Sequence, residues 1–554
     1  MARWLAILAF WVLGGASIAL VVLLSPWWLF LTIPLLLIAL LGSYDLLQRR
    51  HSILRNYPVL GHFRFLLEFI RPEIQQYFIE RDTDGTPYDR STRTTIYERA
   101  KGVKDVDPFG TQRDVYRPGY EFVRHSIGAQ PAPSGSPSTR IGGPQCTQPY
   151  DMALFNVSAM SFGALSANAI RALNSGAAKG GFCHDTGEGG LSPYHLEPGG
   201  DLIWELGTGY FGCRTEDGHF DPDMFAEKVQ APSVKCVSIK LSQGAKPGLG
   251  GVMPGPKVTR EIAEMRLVEA GKTVVSPPSH NRFDSPAGLC DFIAQLRELS
   301  GGKPVGFKLC IGSRSEFLGI CKAMVETGIT PDFIIVDGSE GGTGAAPLEF
   351  EDNVGMPLTE GLMTVHNALV GVGLRDQIRI GASGKVTNGF DIVRRIAQGA
   401  DFTLAARAMM MAVGCIQAQE CHTNKCPVGV ATQDTRRSRA LDVADKSERV
   451  YRFQKSVVEN AKQFVWSMGL TSFDDLHPAV LMRTVGPNES RSYAELYEWL
   501  TPGQLLSDPP ESWRNDWNAA RPDAFVLSET QVLDPTQRKA SHEMMRSAQN
   551  PIAL

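Results

Sequence analysis

The first fifty residues carry two long apolar runs that differ from everything after them. Residues 4–24 and 27–47 are almost entirely apolar, and Ser25-Pro26 separates the two runs. About 20 apolar residues are enough for a helix to cross the roughly 30 Å hydrocarbon layer of a bilayer. The pattern therefore predicts a transmembrane helical hairpin over residues 1–47.

Cationic residues flank both ends of this hairpin. Arg3 precedes the first run, and Arg49, Arg50 and Arg55 follow the second. Because such residues collect on the cytoplasmic side of a membrane, we expect two helices in the cell inner membrane and a cytoplasmic catalytic domain. The alternative is a cleaved signal peptide, but no small-residue cleavage signature separates the two runs.

Residues 48–145 mix aromatic, arginine and proline residues. The segment RFLLEFIRPEIQQYFIERD has helical spacing with a break at Pro72. A Pro-, Ser- and Gly-rich stretch from Ala129 to Pro144 follows, which is typical of a linker or surface loop. We interpret residues 48–145 as a collar and linker between the membrane and a catalytic domain.

From residue 146 to 470, short β-rich apolar runs alternate with amphipathic helical segments. The apolar runs include MALFNVSAM, CVSIKLS, TVVSPP, PVGFKLCIG, DFIIVDGSEG, IRIGASGK and DFTLAARAM. This alternation predicts a parallel sheet with helices outside it, and about eight units favour closure into an α/β (β/α)8 TIM barrel. A doubly wound open sheet is the alternative, but SFGALS follows the first strand where that fold usually carries GxGxxG. Residues 471–554 are predicted to form a helical C-terminal extension.

The composition mainly excludes certain classes of protein. Of 554 residues, 55 are Lys or Arg and 59 are Asp or Glu, which gives a net charge of −4. This balance excludes the basic surface of a typical nucleic-acid binder, so we expect no nucleic-acid partner. Ten cysteines in a chain of this length are too few for a disulfide scaffold, and most are predicted to be reduced core residues.

Three cysteines are the exception because they fall close together. Cys415, Cys421 and Cys426 are separated by five and four residues, and Pro427 follows the third. Thiolates are the ligands that iron–sulfur clusters require, and ferredoxin-type ligand runs often end in Cys-Pro. Three local thiolates suit a 3Fe-4S cluster in the loop 415–426. A zinc site would require a fourth ligand, and three buried or disulfide-capable cysteines are the remaining alternative.

This stretch resembles the FMN and 3Fe-4S domain of glutamate synthases, in which three cysteines of the same spacing precede the same PVGVATQD. The resemblance extends from residue 156 to residue 470. Further shared motifs, in the same order, are SAMSFGALS (158–166), TGEGG (186–190), KLSQGAKPGLGG (240–251), SPPSH (276–280) and GGTGAAP (341–347). The resemblance implies a flavin-dependent oxidoreductase that reduces the imine of 2-oxoglutarate, or of a related keto-acid, to an amino acid.

Glycine-rich loops after two barrel strands are candidates for the FMN phosphate. Gly381, Ser383 and Gly384 follow the predicted seventh strand and open a helix, where backbone N–H groups and the helix dipole can hold an anion. Arg407 ends the eighth strand, and this pair of loops is the usual phosphate site of such barrels. Two tight βα turns that need glycine are the alternative.

Further segments are expected to contact the flavin ring. These are Ser161, Phe162 and Gly163 after the first strand and Gly341, Gly342 and Gly344 after the sixth. Glycine there lets the backbone approach the ring, although core positions and a flexible turn are the alternatives. Lys308 in the fifth strand can stabilise the anionic edge of a reduced flavin, and a salt bridge to a core carboxylate is the alternative.

For the substrate, the resemblance implies that Glu188, Lys246 and Arg266 are the catalytic residues. Arginine can bind a carboxylate through two hydrogen bonds, and Glu188 can orient or protonate the imine. Loop charges facing water, and an Arg266 that reaches out from its helix, are the alternatives. Val252 stands where the family commonly has glutamine, and Glu340 where it has aspartate, so the keto-acid stays open.

The resemblance also sets the expected partners. We expect no glutamine amidotransferase domain, so ammonia comes from solution or from a partner subunit. The electron donor stays open: no NAD(P) fingerprint is visible, and a ferredoxin-like protein, which would leave no motif in this chain, is one candidate. Two other functions stay open: an N-substituted glutamate synthase-like or other amine oxidoreductase subunit, and a non-catalytic, membrane-tethered electron carrier.

Overall fold

A computed structural model describes residues 2–103, 106–131 and 135–525. The chain divides into two compact units, Met1–Thr92 and Arg93–Leu554. Part of the predicted linker, residues 132–134, and the end of the predicted C-terminal extension, residues 526–554, lie outside the described residues.

The first unit is helical. Its helices span Ala2–Leu23, Leu29–Leu47, Ser52–Asn56 and Gly61–Ile74, with a 3₁₀ turn at Pro26–Trp28 and a π-helical turn at Gln75–Ile79. Two segments, Trp4–Leu23 and Pro26–Leu47, are long and apolar enough to cross a membrane, with mean hydropathies of 2.5 and 2.0. The predicted helical hairpin is therefore present. One further helix, Arg90–Lys101, begins at the end of this unit.

The second unit contains a closed barrel of eight parallel strands, which confirms the predicted (β/α)8 class and excludes the open sheet. In chain order the barrel strands are Phe155–Val157, His184–Asp185, Leu202–Leu206, Val234–Lys240, Val305–Leu309, Phe333–Asp337, Arg379–Ser383 and Phe402–Ala405. The eighth strand pairs with the first, Thr403 opposite Phe155, and so closes the barrel.

Helices alternate with these strands and cover the barrel. They span Ala167–Gly180, Pro193–Leu196, Pro222–Lys228, Arg260–Arg266, Pro286–Leu299, Arg314–Thr327, Leu348–Asn353, Leu358–Gly371, Gly389–Ala397, Arg407–Val413, Thr435–Ser438 and Val443–Ser467, with a 3₁₀ turn at Gly255–Lys257. Side-chain caps fix several of their starts: Ser166 accepts a hydrogen bond from Ala169 N, and Asn388 accepts one from Asp391 N. Such caps satisfy backbone donors that the first helical turn leaves unpaired.

One predicted barrel strand is wrong. Val274–Val275, from the run TVVSPP, pairs antiparallel with Val252–Met253 in a two-stranded excursion after the fourth barrel strand. The second and third barrel strands are instead His184–Asp185 and Leu202–Leu206. Periodicity could not separate these cases, because a short strand in a loop and a short barrel strand are both brief apolar runs.

A β-hairpin lies at the amino-terminal end of the barrel. Ser138–Ile141 pairs with Tyr150–Ala153, so the predicted linker is in part a folded strand. Ile141 is fully buried in a cluster that includes Phe402 of the eighth strand. A Cβ atom on Gly381 would lie 2.6 Å from the Phe402 ring. Glycine is therefore required at position 381 for packing inside the barrel.

The segments before and after the barrel share one sheet. Its strands are Glu121–Val123, Leu481–Gly486 and Glu489–Ser492, in antiparallel order. The extension also contains helices Tyr493–Leu496, Gln504–Ser507 and Glu511–Ala519 and 3₁₀ turns Phe473–Asp475 and Pro478–Val480. The extension is helical, as predicted, and it also carries a hairpin that the sequence pattern did not indicate.

Asp332, just before the sixth barrel strand, connects the β-hairpin, a barrel helix and the fifth strand. Its Oδ1 accepts a hydrogen bond from Gly143 N at 2.7 Å, and its Oδ2 accepts from Val305 N at 2.8 Å and from Arg297 Nη2 at 3.0 Å. We expect Asp332→Ala to lower the free energy of unfolding by about 3–5 kcal/mol, because it leaves the buried Arg297 charge uncompensated. Circular dichroism during denaturant unfolding measures the change.

Asp151→Ala is the matched control. Its ion pair with Arg140 has the same chemistry at 2.9 Å, but the two side chains are 60% and 57% exposed. Exposed pairs contribute about 0–1 kcal/mol. Similar losses in the two variants would contradict the role of Asp332.

Candidate active site

Most of the predicted site residues lie at the carboxyl end of the barrel. Ser161, Phe162 and Gly163 follow the first strand, Glu188 the second, Lys246 the fourth, Gly341, Gly342 and Gly344 the sixth, and Arg407 the eighth. Lys308 and Ser383 lie at or near the ends of the fifth and seventh strands, and Gly384 follows the seventh. This end of the barrel is where enzymes with this fold carry their catalytic residues.

Glu188 lies beside cations. Its Oε1 is 3.2 Å from Lys240 Nζ, and only 16% of the Glu188 side chain is exposed. Burial raises the pKa of Glu188, but the charges of Lys240 and Arg266 outweigh burial and hold the pKa below its usual value. The interpretation of Glu188 as a loop charge facing water is therefore wrong. At neutral pH the group is a carboxylate.

Arg266 binds the loop after the first strand. Its Nη2 donates to Ser161 Oγ at 3.2 Å and to the Phe162 carbonyl at 3.0 Å. The side chain is only 3% exposed, so an arginine that reaches out to solvent is excluded. Gly163 has φ +105°, and a Cβ atom there would approach Arg266 Nη2 to 3.3 Å. The first-strand loop and the guanidinium therefore fix one another.

Lys246 is a buried ammonium group near Glu188. It is only 1% exposed, which excludes a water-facing loop charge. Burial lowers the pKa of Lys246, and the Glu188 charge offsets this only in part. None of the hydrogen bonds among the described residues involves Lys246 Nζ. The ammonium is thus positioned to take a carboxylate from a ligand.

Below these residues, Lys308 is paired inside the barrel. It forms an ion pair with Glu205 of the third strand, and both side chains are at most 5% exposed. Burial lowers the pKa of Lys308, but Glu205 and Asp185 outweigh burial and raise it. Burial, followed by the Glu205 charge, raises the pKa of Asp185 to about 8. The alternative of a salt bridge to a core carboxylate is therefore the arrangement observed for Lys308.

Two cations lie just after the last two strands, beside the glycine loop that follows the sixth strand. Arg407 Nη2 donates to the Glu340 carbonyl at 2.8 Å, and a Cβ atom on Gly342 would lie 3.0 Å from Arg407 Nη1. Burial lowers the pKa of Lys385, and the nearby Arg407 charge lowers it further. Two neighbouring cations beside a glycine loop favour an anion between them.

The seventh-strand glycines differ from the sequence prediction. Gly381 lies within the strand rather than after it, and its missing side chain makes room for Phe402. Ser383 Oγ is 3.1 Å from Ser158 Oγ, which joins the seventh strand to the first. Gly384 follows the strand and has φ +150°. Of the three residues predicted to form the phosphate loop, Gly381, Ser383 and Gly384, it is the one with the conformation of a loop glycine.

The three cysteines Cys415, Cys421 and Cys426 lie on one loop next to the barrel mouth, and all are free thiols. Burial raises the pKa of Cys421, and the charge of Cys426 raises it further. Gln417 N lies 3.5 Å from Cys415 Sγ, as a donor to a thiolate would. A Cβ atom on Gly344 would be 3.8 Å from Cys421 Cβ, so the sixth-strand glycine loop touches the cysteine loop.

The three cysteine side chains do not converge on one point, as the ligands of a single metal ion would. Within the described ranges, no three His, Cys, Asp or Glu side chains converge as ligands of one metal ion. A cluster distributes its thiolates over several irons and tolerates wider sulfur separations. Burial raises the pKa of Cys415 and of Cys421, so ligation of a metal by these two thiols would release protons.

Several site residues were missed by the sequence analysis. They are Asp185, Glu205, Lys240, Gln243 and Lys257. Lys240 ends the apolar run CVSIK, and a lysine that terminates a buried strand was an available signal. Lys257 Nζ donates to three carbonyls, of Ala164 at 2.7 Å, Cys421 at 3.2 Å and Ala431 at 3.4 Å. No sequence motif indicated that contact.

Buried polar atoms without partners mark where a ligand fits. Among the described residues, Gln243 Nε2, Asp185 Oδ2 and Arg266 Nε are buried and lack a hydrogen-bond partner. Unpaired buried groups are costly, so the barrel mouth suits a polar ligand that supplies both donors and acceptors. A flavin ring edge supplies both kinds of group, and an ionised keto-acid supplies acceptors.

A family model described as the conserved region in glutamate synthase matches residues 145–471. The chain belongs to the glutamate synthase family. The large subunit-like protein YerD of Bacillus subtilis is 38% identical over 483 residues, which cover 80% of this chain and 91% of YerD. An archaeal glutamate synthase (NADPH) of Methanocaldococcus jannaschii is 34% identical over 333 residues, or 60% of this chain and 62% of that protein.

The match to the archaeal member of the glutamate synthase family thus spans less than two thirds of that protein's length. Among solved structures, the flavin-binding domain of baker's yeast flavocytochrome b2 is 12% identical, with 81% of this chain and 89% of that chain covered and a TM-score of 0.40. The fold assignment rests instead on the closed strand order of the chain itself.

His280, in the family motif SPPSH, is a buried histidine that should make the free energy of unfolding depend on pH. Its Nε2 donates to the Lys240 carbonyl at 2.9 Å, and its Nδ1 is 2.8 Å from Tyr210 Oη. Burial lowers the pKa of His280 to about 4, whereas an unfolded histidine titrates near pH ~6.5. Between these values only the unfolded state binds the proton, so the free energy of unfolding falls as pH falls through that window.

We therefore expect His280→Gln to lose less stability than the unchanged protein when the pH drops from about 7 to about 5. Denaturant titrations at each pH measure this slope. His219→Gln is the control, because the His219 side chain is 59% exposed and should leave the slope unchanged. A slope in His280→Gln as steep as in the control would show that His280 is not the group responsible.

Proposed function

We propose that this chain is the synthase subunit of a glutamate synthase-type enzyme, which reduces the imine of 2-oxoglutarate or a related keto-acid to an amino acid. The observation that carries this proposal is the buried group of Glu188, Lys246 and Arg266 at the mouth of the barrel. Family membership supports the reaction class, and the chain's own charges support a dicarboxylate substrate.

FMN and a 3Fe-4S cluster are the proposed cofactors. Lys385 and Arg407 would hold the phosphate beside Gly342 and Gly384, and Cys415, Cys421 and Cys426 would hold the cluster. When bound, FMN supplies hydride transfer and the cluster supplies single electrons. Ser161, Phe162, Gly163, Gly341 and Gly344 would contact the ring through their backbone. Lys308 would act through its pair with Glu205 rather than as a lone cation.

The substrate residues divide their roles by charge. Lys246 binds a substrate carboxylate, because its ammonium is buried and available. Glu188 accepts a hydrogen bond from the iminium nitrogen and orients it; because its pKa is lowered, it is ionised at neutral pH and does not donate the proton. Arg266 keeps the first-strand loop in position and adds positive potential.

Substitution of Lys246 tests this assignment. With anaerobically reduced protein, we expect 2-oxoglutarate and ammonium to reoxidise the flavin. Lys246→Met should slow that step by roughly 30-fold or more, since losing a buried charge partner costs about 2–5 kcal/mol. The flavin absorbance should be retained.

Lys272→Met is the matched control, because Lys272 is 70% exposed and pairs with Glu269. An equally small effect of both substitutions would refute Lys246 as a substrate-binding residue. Failure of the unchanged protein to be reoxidised would overturn 2-oxoglutarate as substrate.

A second candidate is an N-substituted glutamate synthase. Val252 is 41% exposed and follows Gly251, which packs against Glu188 so closely that a Cβ atom would lie 1.8 Å from Oε1. An apolar side chain at this point suits an alkyl group on the amine. Methylamine in place of ammonium, in the same assay, distinguishes the two reactions.

Cysteine substitution tests the cluster. We expect Cys421→Ser to lose most of its iron and the electron paramagnetic resonance signal of the oxidised cluster while keeping FMN, because a hydroxyl is a poor ligand for iron–sulfur clusters. Cys146→Ser is the control: its Sγ is 3.3 Å from the Gly302 carbonyl, a bond that serine can replace. Full iron content in Cys421→Ser would refute the proposed ligand set.

We also propose that the hairpin Trp4–Leu23 and Pro26–Leu47 anchors the enzyme in the cell inner membrane. The cations that follow the second helix support a cytoplasmic catalytic domain. A ferredoxin-like protein is the proposed electron donor, and ammonia would come from solution or a partner subunit. The relative from Methanocaldococcus jannaschii is named for NADPH. In this chain the GxGxxG stretch at residues 207–212 follows a strand but opens no helix, because the next helix begins at Pro222, so it lacks the context of a Rossmann fingerprint.

A further inference from the structure

The helix Gly61–Ile74 and the π-helical turn Gln75–Ile79, here called the surface helix, have an unusual distribution of side chains. The polar residues Arg64, Glu68, Arg71 and Gln75 recur at intervals of four and three, so they lie along one side. The remaining arc carries the exposed Glu73, four residues after Phe69, and is otherwise mainly apolar and exposed: Phe63 is 60% exposed, Leu66 53%, Leu67 58%, Phe69 79% and Phe78 84%. Exposed apolar patches of this kind mark interaction surfaces.

A buried carboxylate fixes where the surface helix begins. Asp45, near the end of the second apolar helix, is fully buried. Its Oδ2 accepts a hydrogen bond from Val59 N at 2.8 Å, and both its oxygens lie 3.0 Å from His62 Nε2. Because His62 is in the first turn of the surface helix, these bonds tie that turn to the end of the apolar hairpin.

This attachment determines how deep the surface helix would lie in a bilayer. If the hairpin crosses a bilayer, its second helix ends where hydrocarbon meets the headgroups, and a helix tied to that end starts at the same level. A helix with a wide apolar arc and a narrow polar stripe is stable in that layer, where the apolar side enters the acyl boundary.

The charges nearby fit anionic headgroups. Residues 46–79 contain five arginines and two glutamates, with no lysine or aspartate. Arg49, Arg50, Arg55, Arg64 and Arg71 are all exposed. Basic residues close to an anionic leaflet each add attraction that falls off within a Debye length.

We propose that the surface helix lies in the plane of the bilayer, with its apolar side in the acyl boundary and its arginines at anionic headgroups. The proposal rests on the proposed insertion of the hairpin. It gives this enzyme a membrane contact that is parallel to the surface, in addition to the two helices that cross it.

Site-specific photocrosslinking of the full chain in vesicles that contain anionic lipid tests the proposal. Phe69→p-benzoylphenylalanine puts the probe on the apolar side, and Glu68→p-benzoylphenylalanine puts it on the polar stripe of the same turn. Phe30→p-benzoylphenylalanine, on the second apolar helix at a side chain that is 76% exposed, reports hairpin insertion. Mass spectrometry identifies lipid adducts.

We expect lipid adducts at positions 30 and 69 and several-fold fewer at position 68. Adducts at 30 but not at 69, or equal labelling at 68 and 69, would overturn the surface helix while leaving the hairpin in place. Crosslinks from position 69 to protein would also overturn it, because another part of the chain or a second copy would then cover the apolar side. No adduct at position 30 would overturn the membrane insertion itself.

Discussion

The pairing of buried charges at the barrel mouth is the constraint on which the rest of the site depends. Glu188 pairs with Lys240 at 3.2 Å, and Glu205 pairs with Lys308 one layer deeper. A charge that loses its partner in such surroundings is strongly destabilising, so these residues are held in fixed positions. Glu188, the proposed substrate-orienting group, therefore also contributes to the stability of this part of the fold.

This pairing also decides which charge is available to a ligand. Lys240 and Lys308 already have carboxylate partners, whereas the Lys246 ammonium forms no hydrogen bond among the described residues. The Glu188 carboxylate stays ionised because cations surround it. In the proposed function, Lys246 would bind one carboxylate of the substrate and Glu188 would orient the iminium nitrogen.

The barrel class, the cysteine loop and most of the candidate site could be predicted from sequence, because their residues sit in short, dense motifs. The partner of Lys308 could not, since Glu205 is 103 positions away and the two meet only when the barrel closes. The role of Gly381 could not be predicted either. The sequence pattern indicated a phosphate-binding glycine, but the residue that requires glycine at position 381 is Phe402, which lies on the next strand. The local sequence pattern indicates which residues have a structural or functional role, and closure of the barrel determines which residues they contact.

The sheet formed by Glu121–Val123 and Leu481–Gly486 joins segments that flank the barrel on both sides in the sequence. Glu121 ion-pairs with Arg394 of a barrel helix at 2.6 Å, and Tyr493 donates to the same carboxylate. The stretch that defines the family, residues 145–471, therefore excludes two of the three residues in this cluster. A chain cut at the ends of this stretch would leave Arg394 without its Glu121 partner and would expose the flank of a barrel helix.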